Sequence, residues 1–190
     1  MKILFLGYKS CKLLDFLRCN YDTKHAENEV DISSLLEYDR IISFGYRHII
    51  KPPALNSLRE NGRPPIVNLH ISYLPYNRGA HPNFWSWVDD TPKGVTIHHI
   101  DEGIDTGPIL LQKIVGLDIN ESLKQGYEKL IEEIQNLFIK NHTQIINNKM
   151  LEKHQDSSHG SLYFLRDLKK QKDLLINGWE TTPKQLQELT

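Results

Sequence analysis

Cysteine is scarce in this sequence, with only Cys11 and Cys19 among 190 residues, and this excludes a disulfide framework. An excess of one charge is also missing, because 23 lysines and arginines balance 24 aspartates and glutamates for a formal net charge of -1. That balance argues against nucleic acid or an anionic membrane surface as a partner. Apolar runs are too short for a secretory signal or a membrane span. We therefore expect a globular chain with one main core in the reducing cytoplasm.

Three short apolar runs are typical of strands buried on both faces, as in a parallel sheet. They cover residues 3–6, 40–45 and 66–70, and helical patterns separate them. Ser10 is expected to cap the first helix, and the polar tract 20–29 is expected to be a connection. Alternation of strand and helix predicts an α/β fold with an open, mostly parallel, doubly wound sheet.

The second half of the chain predicts a different arrangement. Residues 94–100 and 109–115 are β-branched stretches joined by an acidic, glycine-rich loop, which favours an antiparallel strand pair. Apolar residues at helical spacing over 121–147 predict a long helix packed on the sheet. A polar tail follows, so we divide the chain into a main domain over 1–150 and a small appendage over 151–190.

Polar side chains stand at the exit of the third predicted strand. Asn68 and His70 are two residues apart, so both side chains point to the same face, at the edge of the sheet that usually borders a ligand crevice. An amide can donate to an oxygen gaining negative charge, and a histidine can move a proton near pH 7. Asp105 is the leading carboxylate to complete the set, with Asp101 behind it. Taken alone, this spacing does not establish a catalytic role for Asn68 and His70, because a strand-end histidine that bonds to a backbone carbonyl is common.

A longer ordered pattern surrounds these residues. It consists of VNLHISYLP at 67–75, RGA at 78–80, GVTIH at 94–98 and DEGIDTG at 101–107. This pattern resembles the signature of the folate-dependent formyltransferases, which include glycinamide ribonucleotide transformylase, methionyl-tRNA formyltransferase and the sugar N-formyltransferases. The resemblance implies a Rossmann-like formyltransferase fold. It also places the family's catalytic asparagine, histidine and aspartate on Asn68, His70 and Asp105.

The resemblance further implies 10-formyltetrahydrofolate as the formyl donor. The residues that it assigns to the donor pocket are Tyr46, His48, Ile49, Ile50, Ile100, Asp101, Gly103 and Ile104. Attack of an uncharged primary amine on the formyl carbonyl gives an adduct with a negative oxygen and a positive nitrogen. Asn68 and protonated His70 would stabilise the oxygen, and Asp105 would hold the imidazole and help to move the proton.

The acceptor is expected to be a nucleotide-linked aminodeoxysugar, because residues 78–85 resemble the sugar N-formyltransferases more closely than the purine enzyme. This class implies a place in lipopolysaccharide or O-antigen biosynthesis. A transfer RNA is disfavoured by the net charge of -1 and by the short chain after Lys149, which leaves little room for the family's second domain. Formylation of a small phosphorylated amine such as glycinamide ribonucleotide, or a non-catalytic folate-binding module, remain the alternatives.

Five residues are candidates for contact with this small-molecule acceptor. They are Lys9, Ser10, Arg78, Asn83 and Trp85. Arg78 could pair with a diphosphate or only pin its loop, and Trp85 could stack on the acceptor or pack in the core. Adjacent His98 and His99 would face opposite sides of a strand with no third ligand, so no metal site is expected.

One departure from the family bears on the acceptor site. The strand with Asn68 and His70 arrives earlier along the chain than in typical members, so the N-terminal half of the sheet is predicted to be shortened by a strand and a helix. The missing unit normally borders the acceptor pocket. The pocket is then more open, completed by a partner subunit in a homodimer, or filled by the tail from Leu151 onward.

Overall fold

The computed structural model describes residues 1–189, apart from the side chain of Ser157. The strands are β1 (Lys2–Gly7), β2 (Asp22–Ala26), β3 (Arg40–Phe44), β4 (Val67–His70), β5 (Arg78–Gly79), β6 (Gly94–His99), β7 (Ile109–Ile114) and β8 (Leu162–Tyr163). The helices are α1 (Lys12–Asn20), α2 (Ile32–Leu35), α3 (Pro52–Glu60), α4 (Pro82–Val88), α5 (Leu123–Ile146), α6 (Leu165–Lys170) and α7 (Pro183–Gln187). Short 3-10 helices lie at Ser157–His159, Lys172–Leu174 and Gly178–Glu180. None of the helices in the described part of the chain has the length and apolarity to cross a membrane.

Six strands form the central sheet in the order β2-β1-β3-β4-β6-β7. The first four are parallel to one another, whereas β6 runs antiparallel to both β4 and β7. The predicted mostly parallel sheet with an antiparallel pair is confirmed. This order lays β4 antiparallel to β6, with His70 at the carboxyl end of β4 opposite Thr96, and the loop after β6 begins beside the amino end of β4.

Both faces of the sheet are covered by helices, as a doubly wound fold requires. On one face, side chains of β1 such as Phe5 pack with Leu13 of α1 and Phe138 of α5. On the other, Leu6 packs with helices α2 and α3, including Leu58. Burial of each such side chain contributes about 1.5–3 kcal/mol relative to exposure. The two cores together hold β4 rigidly in the middle of the sheet.

Two details of the N-terminal half differ from the sequence expectation. The tract over 20–29 contains the edge strand β2, whose backbone pairs with β1 although its side chains are polar and only half-buried. An edge strand has one neighbour and one exposed side, so it lacks the apolar signal of a buried strand. Helix α1 is capped by Cys11 rather than Ser10, since the Cys11 Sγ accepts from the backbone N–H of Leu14 at 3.4 Å.

The tail beyond residue 150 folds back on the larger part of the molecule. Strand β8 pairs in parallel with β5, and Tyr163 stacks on Trp85 of α4 with ring centroids 3.8 Å apart. Leu186 of α7 is buried in the same small cluster as Phe84 and Leu123. The tail therefore shares a core with helices α4 and α5.

Candidate active site

Asn68, His70 and Asp105 meet at the carboxyl end of β4. The Asp105 Oδ2 lies 3.5 Å from the His70 Nδ1, and the Asn68 Nδ2 donates to the Asp105 Oδ1 at 3.2 Å. The backbone N–H of Gly79 donates to the Asp105 Oδ2 at 2.9 Å. Residues that are 37 positions apart in the chain thus share one hydrogen-bonded cluster.

The loop that carries Asp105 is shaped by its own short contacts. Asp105 itself has a φ of 52°, a left-handed conformation that is uncommon for a residue with a side chain. The Asp101 Oδ1 accepts from the Gly103 N–H at 3.1 Å and from the Thr106 hydroxyl at 2.6 Å. At Gly107 a Cβ would lie 1.9 Å from the carbonyl oxygen of His99, so only glycine allows this close approach. These contacts fix the direction of the Asp105 carboxylate.

His98 is a fourth member of the cluster, and the sequence analysis did not identify it. Its Nε2 lies 3.1 Å from the Asn68 Nδ2 and 3.4 Å from the Asp105 Oδ1. Its Nδ1 lies 2.8 Å from the carbonyl oxygen of His99, which accepts from an Nδ1–H tautomer and leaves Nε2 to accept from Asn68. The antiparallel register pairs His98 with Asn68, so the signal was available only once β4 and β6 were known to be neighbours. His99 turns the other way, toward Glu152 at 3.1 Å.

Burial and charge set the protonation of the cluster. Burial lowers the pKa of His70 below its ordinary value of 6.5, whereas the Asp105 charge and the hydrogen bond to the Asn77 carbonyl work against that fall. Burial alone would raise the pKa of Asp105, but the His70 and His98 rings and the Gly79 N–H outweigh it and hold that pKa well below the usual range. The Asp105 carboxylate is therefore ionised, whereas burial favours the neutral form of His70.

A cavity of about 550 Å³ opens in front of the cluster. Asn68, His70 and Asp105 line one part of it, and Asn83 is the one predicted acceptor-binding residue in its lining. The Asn83 Nδ2 donates to the Leu123 carbonyl at 2.7 Å, so this side chain also ties α4 to α5. Sequence reasoning did not identify the other polar and aromatic side chains of the wall. These include Tyr8, His81, Lys124, Tyr127 and Trp179.

Trp179 brings the tail into this cavity. It belongs to the 3-10 helix Gly178–Glu180, and its ring lies 5.4 Å from that of His81. The Leu123 N–H donates to the Thr181 carbonyl at 3.0 Å, and Lys124 pairs with Glu180 at 3.3 Å, which together hold this turn against the start of α5. Trp179 remains 43% exposed, so one face of the indole is open.

The other predicted acceptor-binding residues lie outside the cavity lining. Arg78 is on β5, and its Nε donates to the Ser161 carbonyl at 3.4 Å, in keeping with the alternative that it pins its loop. Trp85 is 4% exposed between Phe84 and Tyr163, which agrees with the core-packing alternative. Lys9 lines a separate shallow depression near β2, and Ser10 is exposed in the loop before α1.

A second, smaller cleft of about 210 Å³ lies on the other side of Asn68 and Asp105. All eight residues assigned to the donor pocket line it, from Tyr46 at the end of β3 to Ile104 in the loop after β6. Four isoleucines line it, namely Ile49, Ile50, Ile100 and Ile104, and Asp101 and backbone groups supply polar atoms. An apolar slot with a few polar groups suits a flat heteroaromatic ring such as a pterin.

A doubly wound α/β sheet with an amide, an imidazole and a carboxylate beside two pockets is an arrangement that suits acid-base chemistry on small molecules. The Formyl transferase family model matches residues 10–141, and the chain belongs to this family. The resemblance inferred from the motif is thereby confirmed.

Several relatives are similar to this chain. The formyltransferase PseJ from Anoxybacillus kamchatkensis, crystallised with UDP-4,6-dideoxy-4-formamido-L-AltNAc and tetrahydrofolate, is 40% identical with a TM-score of 0.89, over 98% of this chain and 97% of PseJ. The dTDP-4-amino-4,6-dideoxyglucose formyltransferase of Mycobacterium tuberculosis is 28% identical over 74% of this chain. The methionyl-tRNA formyltransferase of Thermodesulfovibrio yellowstonii is 37% identical over 50% of this chain and 29% of its own length. The chain spans only 57% of the length of the mycobacterial relative.

Proposed function

We propose that this chain transfers a formyl group from 10-formyltetrahydrofolate to the primary amine of a nucleotide-linked aminodeoxysugar. The observation that carries the proposal is the convergence of Asn68, His70 and Asp105 between two pockets of suitable size. Similarity to PseJ over almost the whole chain supports a sugar acceptor, because that relative was crystallised with a UDP-linked formamido sugar. A module that only binds folate would need neither the second pocket nor a proton-transfer group.

The donor cleft would hold the reduced pterin among Ile50, Ile100 and Ile104, with Asp101 and nearby backbone groups available to its polar edge. Bound there, 10-formyltetrahydrofolate supplies the formyl carbonyl. Asn68 and Asp105 border both the cleft and the cavity, so a carbonyl at their boundary is within reach of an amine from the other side. The chain itself contributes positioning, hydrogen bonds and a place for the proton.

His70 would begin neutral and accept the proton from the amine nitrogen. In the resting site Nδ1 faces Asp105 at 3.5 Å and Nε2 faces the Asn77 carbonyl at 3.3 Å, so Nε2 has to turn from that carbonyl to the substrate to take the proton, while Nδ1 donates to Asp105. The ionised Asp105 stabilises this imidazolium in a site that excludes most water. His70 could then pass the proton to the departing nitrogen.

Asn68 would stabilise the oxygen that gains negative charge. In the resting cluster its two amide hydrogens are directed at Asp105 and His98. One of them has to turn to the substrate oxygen, and the remaining bond keeps the amide oriented. His98 acts in this scheme as a positioning residue for Asn68.

We propose that the tail fills the space that the missing strand and helix would leave at the acceptor pocket. Among the three arrangements left open by the sequence, a filling tail is favoured by the contribution of Trp179 to the cavity wall. We propose that the open face of this indole packs against a ring of the acceptor, and that Lys124 exchanges its pairing with Glu180 for the acceptor's phosphate.

A formylation screen tests this function. The full chain is incubated with 10-formyltetrahydrofolate and a panel of UDP- and dTDP-linked aminosugars, and products are read by mass. Asp105→Asn serves as the control of strongly reduced activity. Transfer to glycinamide ribonucleotide alone would replace the sugar acceptor by a small phosphorylated amine. Binding of a folate analogue with transfer to none of these amines would favour the non-catalytic module and contradict the proposal.

Two further expectations belong with this function. We propose a cytoplasmic location, in keeping with the free thiols of Cys11 and Cys19, the second of which is exposed.

We also propose a homodimer, for which the exposed apolar side chains of Leu165 and Ile176 in the tail are a candidate surface. Sedimentation of the full chain and of Leu165→Glu measures whether this homodimer forms. A role in lipopolysaccharide or O-antigen biosynthesis stays a prediction.

A further inference from the structure

The turn that carries Asp105 is held from behind by a residue of the tail. The Gln155 Nε2 donates to the carbonyl oxygen of Asp105 at 2.9 Å and to that of Gly107 at 2.7 Å. Both acceptors are carbonyl oxygens, so only the NH2 end of the side chain can satisfy them, and its two hydrogens are both used. A single amide thus bridges the first and last residues of the catalytic turn.

Contacts of the residues just before Gln155 hold the tail against the central sheet. Lys153 exchanges two backbone hydrogen bonds with Ile109 at the start of β7, at 2.8 and 2.9 Å. Glu152 pairs with the buried His99 at 3.1 Å. Gln155 follows two residues after Lys153, and its position behind the turn is therefore set by the end of the central sheet. It lies beyond residue 141, where the match to the family model ends.

Asp105 needs such support because its backbone conformation is unfavourable. A left-handed φ of 52° at a residue with a side chain persists only where the surroundings hold it. The carboxylate is fixed in front by Gly79 and Asn68, whereas the two hydrogen bonds from Gln155 fix the main chain behind. With that amide removed, the carbonyls of the half-buried Asp105 and the buried Gly107 lose this donor and the turn can relax.

We propose that Gln155 is a positioning residue, which holds the turn 105–107 so that the Asp105 carboxylate faces His70. The expected fall in rate rests on the proposed function, whereas the expected displacement of the Asp105 carboxylate does not. Within the described chain, the titratable groups that face His70 are Asp105 and His98, so the charge that supports its protonated form comes from Asp105. A displaced carboxylate would weaken that support.

The test uses the full chain with Gln155→Met, which keeps the side-chain length and removes both donated hydrogens. Gln112→Met is the matched control, because the Gln112 Nε2 also donates to two acceptors, the Leu74 carbonyl at 2.7 Å and the Thr96 Oγ1 at 3.1 Å, and Gln112 contacts none of the clustered residues. The His70 ring signals are titrated by NMR in the parent and both variants. Asp105→Asn shows in which direction the His70 titration shifts when the carboxylate charge is lost completely.

The expected result for Gln155→Met is a His70 titration at lower pH than in the parent, with kcat lower by about 10- to 100-fold and acceptor KM little changed. The control should leave the His70 titration where it is. An unmoved titration in Gln155→Met, with or without a fall in kcat, overturns the proposal and reduces Gln155 to a folding role. Should this variant fail to fold, Gln155→Asn gives the same comparison, because its shorter amide cannot span both carbonyls.

The NMR titration separates this proposal from the proposed function. It needs no substrate, so a parent chain that transfers no formyl group would contradict the function and leave the positioning of Asp105 measurable. A parent chain that is active, combined with a Gln155→Met variant of parental titration and rate, would contradict the positioning alone.

Discussion

His70 lies between two acceptors in a site that resists its charge. Burial favours the neutral ring, whereas Asp105 and the Asn77 carbonyl favour the protonated one. A histidine balanced in this way can gain and lose a proton within a reaction cycle. Asn77 is itself fully buried, and its side chain is bonded to Asp89 and Thr91, so the carbonyl behind His70 has a fixed place.

Removal of the amide or the imidazole should slow transfer without preventing donor binding. We expect kcat to fall by about 10²- to 10³-fold in Asn68→Ala, as for loss of one oxyanion donor elsewhere, and at least as far in His70→Ala. Steady-state rates measure the fall, and titration with a folate analogue checks that the donor cleft survives. Near-parental turnover in both variants would contradict the assigned roles.

The acid limb of activity should report the lowered pKa of His70. His70 can accept a proton only while its ring is neutral, so activity falls as the pH drops through the pKa of His70. Burial lowers that pKa below 6.5. We therefore expect the acid limb of kcat/KM, corrected for ionisation of the acceptor amine, to have its midpoint below pH 6.5. In Asp105→Asn the residual activity should fall at still lower pH, because the charge that raises this pKa is gone. An acid limb at or above 6.5 in the parent would contradict this interpretation.

Among the small elements, the pairing of β5 with β8 depends on one glycine. Gly79 has a φ of 85°, and a Cβ there would lie 2.2 Å from the Tyr163 carbonyl oxygen. Gly79→Ala should push β8 away and weaken the N–H bond to Asp105, lowering both kcat and the free energy of unfolding, the latter by about 1–3 kcal/mol. Gly116→Ala is the control, since nothing lies within 4 Å of its Cβ position. Equal denaturation midpoints for the two variants would show that the pairing is dispensable.

The 3-10 helix Gly178–Glu180 carries the tail's contribution to the acceptor wall. Trp179→Ala should raise the acceptor KM several-fold to about tenfold while the affinity for a folate analogue stays unchanged. Leu151→Ala, also in the tail and 91% exposed, should leave both constants at parental values because Leu151 is not part of the cavity lining. If Trp179→Ala has a parental KM for every accepted amine, the indole does not touch the acceptor.

The sequence predicted those elements whose signal is local. The apolar strands β1, β3 and β4 and the periodic helix α5 were recognisable from their own residues. The edge strand β2 and the pair β5–β8 were not, because their partners rather than their side chains define them. The same limit applies to the site. Asn68, His70 and Asp105 were found through an ordered motif, whereas His98, Trp179 and Gln155 depend on contacts between distant segments.

At the scale of the whole molecule, the tail packs on α4 and α5 and pairs with β5 and with the start of β7, so we expect it to unfold together with the sheet. A chain truncated after residue 150 would expose Phe84, Trp85 and Leu123, which are all nearly fully buried. We expect a loss of about 3 kcal/mol or more in the free energy of unfolding, since each large apolar side chain contributes about 1.5–3 kcal/mol. Thermal or urea denaturation measures it, and truncation after Gln187 is the control. An unchanged midpoint for the 1–150 fragment would instead support the division into two domains predicted from the sequence.

Asn68 and Asp105 line both the 550 Å³ cavity and the 210 Å³ cleft, so the two pockets share these residues as a common wall. Under the proposed function the donor and the acceptor would each occupy a pocket of its own. We therefore expect the two substrates to bind in either order, so that a used donor is replaced while the acceptor stays bound.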